Sequence, residues 1–193
     1  MTTRFLSLSV LALCVIMAFA RSSEDVTDIL TALSKPETTA DAAARLITLG
    51  NSQPDARKAI DRELPAMLLQ TKNVPVVQSA AKVAGALRLE STIPSLIQLL
   101  NWYNGELNST MTMSHQLTDD PVARALYDIG APAEHPLAEV LAGKNQMAKQ
   151  RAMKILVLRG TPESRAILEK HLLTETDPHF RNYLIANGVK TPQ

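Results

Sequence analysis

Proline and glycine residues recur along this chain at intervals that allow only short helices between them. Four segments open on a polar residue followed by proline, at Pro54, Pro121, Pro162 and Pro178. Four glycines stand at the far ends of segments, at Gly50, Gly130, Gly160 and Gly188. Proline is favoured in the first turn of a helix and glycine just after the last. The spacing therefore predicts helices of about ten to fifteen residues, the usual length in globular proteins.

The apolar residues of these segments recur at helical spacing. One segment places Ala80, Val83, Ala84 and Leu87 on a single stripe, and the next does so with Ile93, Leu96, Ile97 and Leu100. A helix with one apolar stripe needs neighbours to cover it. Alternation typical of strands is lacking outside residues 102 to 120. The pattern predicts an all-α fold.

The segments also resemble one another. Residues 83–100 read "VAGALRLESTIPSLIQLL", and residues 125–141 read "ALYDIGAPAEHPLAEVL". Looser copies occupy residues 42–60 and 152–172. These segments resemble the HEAT repeat, in particular the short form found in bilin-lyase-type repeat proteins. Arg88 departs from the repeat pattern, which has a glycine at that turn.

The resemblance implies a right-handed α-solenoid, in which about four to five antiparallel helix pairs stack side by side. It covers residues 21–193 as one domain, and the second helix of each pair would line a concave surface. The turn positions Gly50, Arg88, Gly130 and Gly160 are separated by 38, 42 and 30 residues. Because a compact unit needs about thirty residues, the longest step predicts an inserted loop at about residues 102–120.

The first twenty residues, "MTTRFLSLSVLALCVIMAFA", have the layout of a secretory signal peptide. Arg4 is followed by an uncharged apolar run that ends on Ala18-Phe19-Ala20, and the run is shorter than the roughly 20 residues of a membrane span. Cys14 lies in a sequence that resembles a lipoprotein box, but Leu13 stands where that motif has a small residue. We therefore expect cleavage after Ala20, no stable membrane span and no lipid anchor.

Net charge limits the classes of partner that the protein can attract, and cysteine content bears on its compartment. Loss of the leader removes Arg4, one of 20 basic residues, and leaves equal numbers of basic and acidic side chains. Bulk charge therefore does not direct the protein to nucleic acid. Cys14 is the single cysteine, so the exported form would be stable without disulfides. The expected location is the periplasm or the extracellular space.

One helix face is the best candidate for a partner-binding surface. At 100° per residue, Ser95 and Gln98 lie opposite the apolar stripe of their helix, and Trp102 joins them if the helix continues past Leu100. His135 and Glu139 hold the corresponding positions in the next repeat. The alternative is that Trp102 packs under its own loop. The sequence thus predicts an exported scaffold that presents Gln98, Trp102, His135 and Glu139 to a protein or peptide of the cell envelope.

Two alternative functions stay open. In an extended conformation, Met111, Met113 and His115 would point to one side of the inserted loop, and thioether and imidazole groups suit copper(I). The competing interpretation is an apolar strip that packs the loop on the helices. The repeat subtype alone suggests the other alternative, a tetrapyrrole lyase or chaperone.

The remaining motifs favour a binding protein over an enzyme, and no cofactor is expected. No Ser-His-Asp or Cys-His arrangement and no glycine-rich phosphate loop is present. His171 lies on the apolar side of its helix and is predicted to be a packing residue, whereas His179 is expected to be exposed. The basic run at residues 144–154, with Lys144, Lys149, Arg151 and Lys154, is expected to be a solvated helix face.

Overall fold

A computed structural model describes residues 26–102, 117 and 120–190. Within these residues the chain forms ten α-helices, two short 3-10 turns and no strand, which confirms the predicted all-α class. The α-helices are α1 (Val26–Leu33), α2 (Thr39–Ser52), α3 (Pro54–Gln70), α4 (Val74–Ala86), α5 (Ile93–Trp102), α6 (Pro121–Ile129), α7 (Glu134–Leu141), α8 (Gln146–Arg159), α9 (Pro162–Thr174) and α10 (Pro178–Ala186). None of them is long and apolar enough to cross a membrane.

Helix starts follow the predicted proline signals. Pro54, Pro121, Pro162 and Pro178 are each the first residue of a helix. In three of these four helices the preceding side chain, Asp120, Thr161 or Asp177, accepts a hydrogen bond from a backbone N–H of the first turn. Such caps satisfy N–H groups that have no acceptor inside the helix. Each of these caps involves residues two or three positions apart, which is why the sequence alone locates the helix starts.

Three of the four predicted glycine ends are confirmed. Gly130, Gly160 and Gly188 follow helices and have positive φ angles of 99°, 59° and 79°. Gly50 is different, because α2 continues through it to Ser52. A Cβ built on Gly50 would lie 2.6 Å from Cδ1 of Leu87. The prediction of a helix end at Gly50 was therefore wrong: this glycine makes room for a neighbouring helix rather than for a turn.

Arg88 occupies the turn where the repeat pattern has glycine. Its φ of 49° is the single positive value among the non-glycine residues that the structure describes. A left-handed conformation brings Cβ close to the following carbonyl oxygen and costs roughly 1–2 kcal/mol outside glycine. The sequence departure at this position thus falls at a strained backbone site.

Replacement of Arg88 by glycine is expected to stabilise the protein. The substitution relieves the left-handed strain but adds freedom to the unfolded chain, so we expect a net gain of about 0.5–1 kcal/mol. Urea unfolding of Arg88→Gly and of Arg88→Ala measures it, since alanine removes the exposed side chain and keeps the strain. A gain shared equally by both variants would contradict a backbone origin.

The helices pack in two rows. Helices α1, α3, α5, α7 and α9 form one row, here called the odd row, in which each contacts the next. Helices α2, α4, α6, α8 and α10 form the even row in the same way. Contacts between the rows enclose the core, which contains the predicted stripe Ala80, Val83, Ala84 and Leu87. In α5, Ile93, Leu96 and Leu100 are buried and Ile97 is half-buried.

Ser95 is not on the exposed face that was predicted for it. Its side chain is buried, and Oγ donates a hydrogen bond to the carbonyl of Pro65 in α3 at 3.0 Å. One turn earlier, Oγ of Ser91 lies 2.8 Å from the carbonyl of Asp61. Pro65 stands inside α3 and has no N–H for the Asp61 carbonyl. The Ser91 hydroxyl therefore lies within hydrogen-bond distance of the Asp61 carbonyl, which has no helical donor because residue 65 is a proline.

A buried arginine connects α5 and α6, the helices that precede and follow the stretch where the sequence predicts an insertion. Arg151 in α8 donates from Nε and Nη2 to the two carboxylate oxygens of Asp120, at 2.5 and 2.6 Å. Nη1 of Arg151 donates to the carbonyl of Leu100 at 2.7 Å. Leu100 lies near the end of α5 and Asp120 caps α6. Arg151 thus connects the end of α5 to the start of α6.

The basic run at residues 144–154 is therefore not a uniformly solvated face. Lys144 is exposed and Lys154 is half-buried, but Lys149 and Arg151 are buried. Burial of a charged side chain is tolerated only with a partner of opposite charge or with hydrogen bonds. Both residues meet this requirement through contacts with distant parts of the chain, so the prediction of solvation was wrong for them.

Candidate functional site

The exposed face of α7 contains two of the residues predicted to bind a partner. The side chains of His135 and Glu139 are 88% and 76% exposed, and Nε2 of His135 lies 3.7 Å from Oε1 of Glu139. Gln98 is exposed on α5, the neighbour of α7 in the odd row. Helix α5 continues to Trp102 as the hypothesis required. The side chain of Trp102 lies outside the described residues, so its direction stays a prediction.

Depressions lie on both sides of α7. The smaller one, about 280 Å³, is lined by Ile97 of α5 and by Pro136 and Glu139 of α7. The larger one lies between α7 and α9, has a volume of about 690 Å³ and is here called the α7–α9 groove. His135 lines the groove from α7, and Gly143 borders both depressions. The odd row is thus concave on either side of the two predicted residues.

A cluster of three ionisable side chains lines the α7–α9 groove. Nζ of Lys149 lies 2.6 Å from Oε2 of Glu175, and Nε2 of His171 lies 2.9 Å from the same oxygen. The side chains are only 10%, 3% and 10% exposed, in the order Lys149, Glu175 and His171. Oε2 of Glu175 has no hydrogen bond of good geometry among the described residues. Its charge is therefore balanced by the proximity of Lys149.

Three separate elements position this cluster. Lys149 comes from the first turn of α8 in the even row, and its ammonium lies 5.4 Å from the ring centroid of Phe180 in α10. His171 is in the last turn of α9, and Glu175 is the residue that follows this helix. Oε1 of Glu175 accepts a hydrogen bond from the N–H of Asp177 at 2.9 Å. The cluster joins the last three helices at one point.

Burial and neighbouring charges set the protonation of the cluster. Burial lowers the pKa of His171, and Lys149 lowers it further, while Glu175 acts in the opposite direction. Burial raises the pKa of Glu175, but the ammonium of Lys149 beside it and the hydrogen bond from the N–H of Asp177 outweigh the burial and give a pKa of about 2. At neutral pH, Glu175 is ionised and His171 is uncharged.

Stability should decrease in acid because of Glu175. Its pKa is 4.5 without perturbation and about 2 in the folded chain, so the stabilisation is complete above 4.5 and is lost as the pH falls through 2. Chemical unfolding across pH 2–5 should show this loss in the native chain and a smaller slope in Glu175→Gln. Glu169→Gln, a change at a half-buried residue of α9, is the matched control. Equal slopes in all three proteins would contradict the role of Glu175.

Sequence reasoning missed this cluster. It assigned Lys149 to a solvated face, and it predicted His171 to be a hydrogen-bonded packing residue without naming Glu175 as its neighbour. A signal was present, since Lys149 shares the spacing of Ala152, Met153 and Leu156, the buried stripe of α8. A lysine inside an apolar stripe indicates a buried partner. His179 is exposed, as predicted.

A third depression, of about 460 Å³, lies between α4 and α6 in the even row. Ala81, Gly85 and Ala125 line it, with Lys82 and Asp128 among its charged residues. Arg124 and Asp128, two of its three charged residues, form an ion pair with each other at 2.8 Å, so it offers less chemistry than the α7–α9 groove.

The proposed copper ligands are not part of the sites described above. Met111, Met113 and His115 lie outside the described residues, and the same holds for the leader with Cys14. Within the described ranges, no three His, Cys, Asp or Glu side chains are grouped as metal ligands. Copper binding by the loop stays a prediction from sequence. No protein-family model matches the chain, and a search of curated proteins gave no significant match.

Proposed function

We propose that this protein is an exported HEAT-like α-solenoid that binds a protein or peptide of the cell envelope along its odd row of helices. The observation that carries the proposal is the pair of depressions that flank the exposed face of α7. His135 and Glu139 lie on this face, and Gln98 lies on the neighbouring helix. A concave surface built on packed helices presents side chains rigidly, so binding costs little conformational entropy.

The packing of the helices supports the solenoid. Each helix of a row contacts the next in the same row, as expected when similar helix pairs stack side by side. Contacts between residues thirty apart join equivalent turns of α3 and of the segment that leads into α5. Ser91 meets Asp61, Ser95 meets Pro65, and Arg57 donates to the carbonyl of Leu87. A period of about thirty residues is that of the short HEAT unit.

Export rests on the amino-terminal sequence. The charged start, the apolar run and the Ala18-Phe19-Ala20 end are the arrangement of a cleaved leader. A mature chain without cysteine would keep its fold through the apolar core and the buried ion pairs of Lys149 and Arg151. The periplasm or the extracellular space is the compartment in which we place the partner.

Site-specific photocrosslinking tests the binding surface. A photoreactive phenylalanine analogue is placed at His135 or Glu139 of the full chain, and the cells that produce it are irradiated. We expect both positions to give an adduct with the same partner. The matched controls carry the analogue at Lys82 in α4 and at Leu158 in α8, exposed positions of the even row. Adducts from all four positions, or from the controls alone, would contradict the proposal.

A further inference from the structure

Two charged residues at the rim of the α7–α9 groove lack a partner. Glu163 in the first turn of α9 and Lys170 near its end both line the groove and are exposed. Neither forms an ion pair with any other residue that the structure describes. Seven residues separate them, which places both on the same side of the helix, about 10 Å apart along its axis. The rim is therefore negative at one end and positive at the other.

The other charges at the Lys170 end are already balanced inside the protein. Glu175 is neutralised by Lys149, as described above. The last carbonyls of α9 would attract a cation, but Nη1 of Arg181 donates to the carbonyl of Leu172 at 2.8 Å and to that of Glu175 at 3.0 Å. The remaining charge at this end is that of Lys170. Glu169 precedes Lys170 in the sequence but does not line the groove, so an incoming carboxylate would meet Lys170 there.

The spacing of Glu163 and Lys170 limits what can bind both. A peptide in the polyproline II conformation has three residues per turn and advances about 3.1 Å per residue, so side chains three positions apart lie on the same side, about 9 Å apart. This matches the distance along α9. The groove volume of about 690 Å³ leaves space for the intervening side chains. His135 on the opposite wall and the hydroxyls of Thr174 and Thr176 add polar groups between the two walls.

We infer that the α7–α9 groove binds a peptide segment in the polyproline II conformation, with an acidic and a basic side chain three positions apart, the acidic one on Lys170 and the basic one on Glu163. This inference rests on the proposed function and specifies the chemistry of the partner. The ion pairs at the exposed rim give orientation and selectivity more than affinity. The apolar parts of the groove, including Ala138, Leu141 and Ile167, contribute the contact area.

Selection from a displayed library of random decapeptides tests the inference with the full mature chain. The native protein should enrich peptides with Asp or Glu and Lys or Arg three positions apart, in one fixed order. The double variant Glu163→Lys/Lys170→Glu keeps the net charge and should enrich the opposite order. The control Lys82→Glu changes a charge on α4, away from the groove, and should keep the native order.

Each result of the selection decides something. Enriched peptides without this pair, or with an order unchanged in the double variant, would overturn the inference and leave the binding function standing. An order that reverses in the Lys82→Glu control would also overturn it, since long-range charge would then explain the preference. If no peptide is enriched by any of the proteins, the inference fails, and photocrosslinking from His135 and Glu139 decides separately whether the proposed function stands.

Discussion

Replacement of Arg151 by methionine is expected to destabilise the protein by about 3–5 kcal/mol, the usual effect of breaking a buried ion pair. The side chain of Arg151 is 1% exposed and binds both carboxylate oxygens of Asp120 and the carbonyl of Leu100. Methionine fills much of the volume, but it leaves the Asp120 carboxylate without its counter-charge and the Leu100 carbonyl without the arginine N–H. Equilibrium unfolding in urea measures the loss, and circular dichroism checks that the variant is still helical.

A control variant and a double-mutant cycle separate the Arg151–Asp120 ion pair from other effects. Arg165→Met makes the same chemical change at an exposed position of α9 and should alter stability by less than about 0.5 kcal/mol. In Arg151→Met/Asp120→Asn, the asparagine still caps α6 but carries no charge, so the double variant should lose less than the two single losses combined. Additive losses would indicate that Arg151 and Asp120 act independently.

The second large effect is expected at Gly85, where α4 and α6 come closest. A Cβ on this residue would lie 2.9 Å from Cα of Ala125, which is backbone and cannot move without displacing α6. Gly85→Val should therefore cost about 2–3 kcal/mol through overpacking. Thermal and urea unfolding would report the loss. Because α4 and α6 belong to the even row, photocrosslinking from His135 and Glu139 on the proposed surface of the odd row should change little in this variant.

Gly50→Ala is the informative comparison. Its added Cβ would meet the end of the Leu87 side chain, which can change rotamer, whereas at Gly85 the obstacle is backbone. Alanine also favours a helix over glycine by about 0.5–1 kcal/mol, which offsets part of the crowding. Gly50→Ala should thus cost clearly less than Gly85→Val. An equal or larger loss would mean that Leu87 is held as rigidly as the backbone.

The candidate surface was partly predictable. Helical periodicity placed His135, Glu139 and Gln98 outside, and all three are exposed. The same reasoning placed Ser95 outside, and it failed because helical periodicity does not register a hydrogen-bond acceptor on another helix. The Ser95 side chain is buried, and its hydroxyl donates to the Pro65 carbonyl of α3. Where a polar side chain serves a neighbouring helix, the sequence of its own helix does not reveal it.

The sequence by itself determined where four of the helices begin, where glycines end three helices, and which stripes of α4 and α5 face the core. These properties depend on residues a few positions apart, so local physical chemistry decides them. Only the tertiary structure decided that Lys149 and Arg151 are buried and that Glu163 and Lys170 border one groove. The partners of Arg151 lie 31 and 51 residues away. A lysine or arginine has the same helical preference whether water or a distant carboxylate accepts its hydrogen bonds. Only the packing of the two rows decides which of the two acceptors it meets.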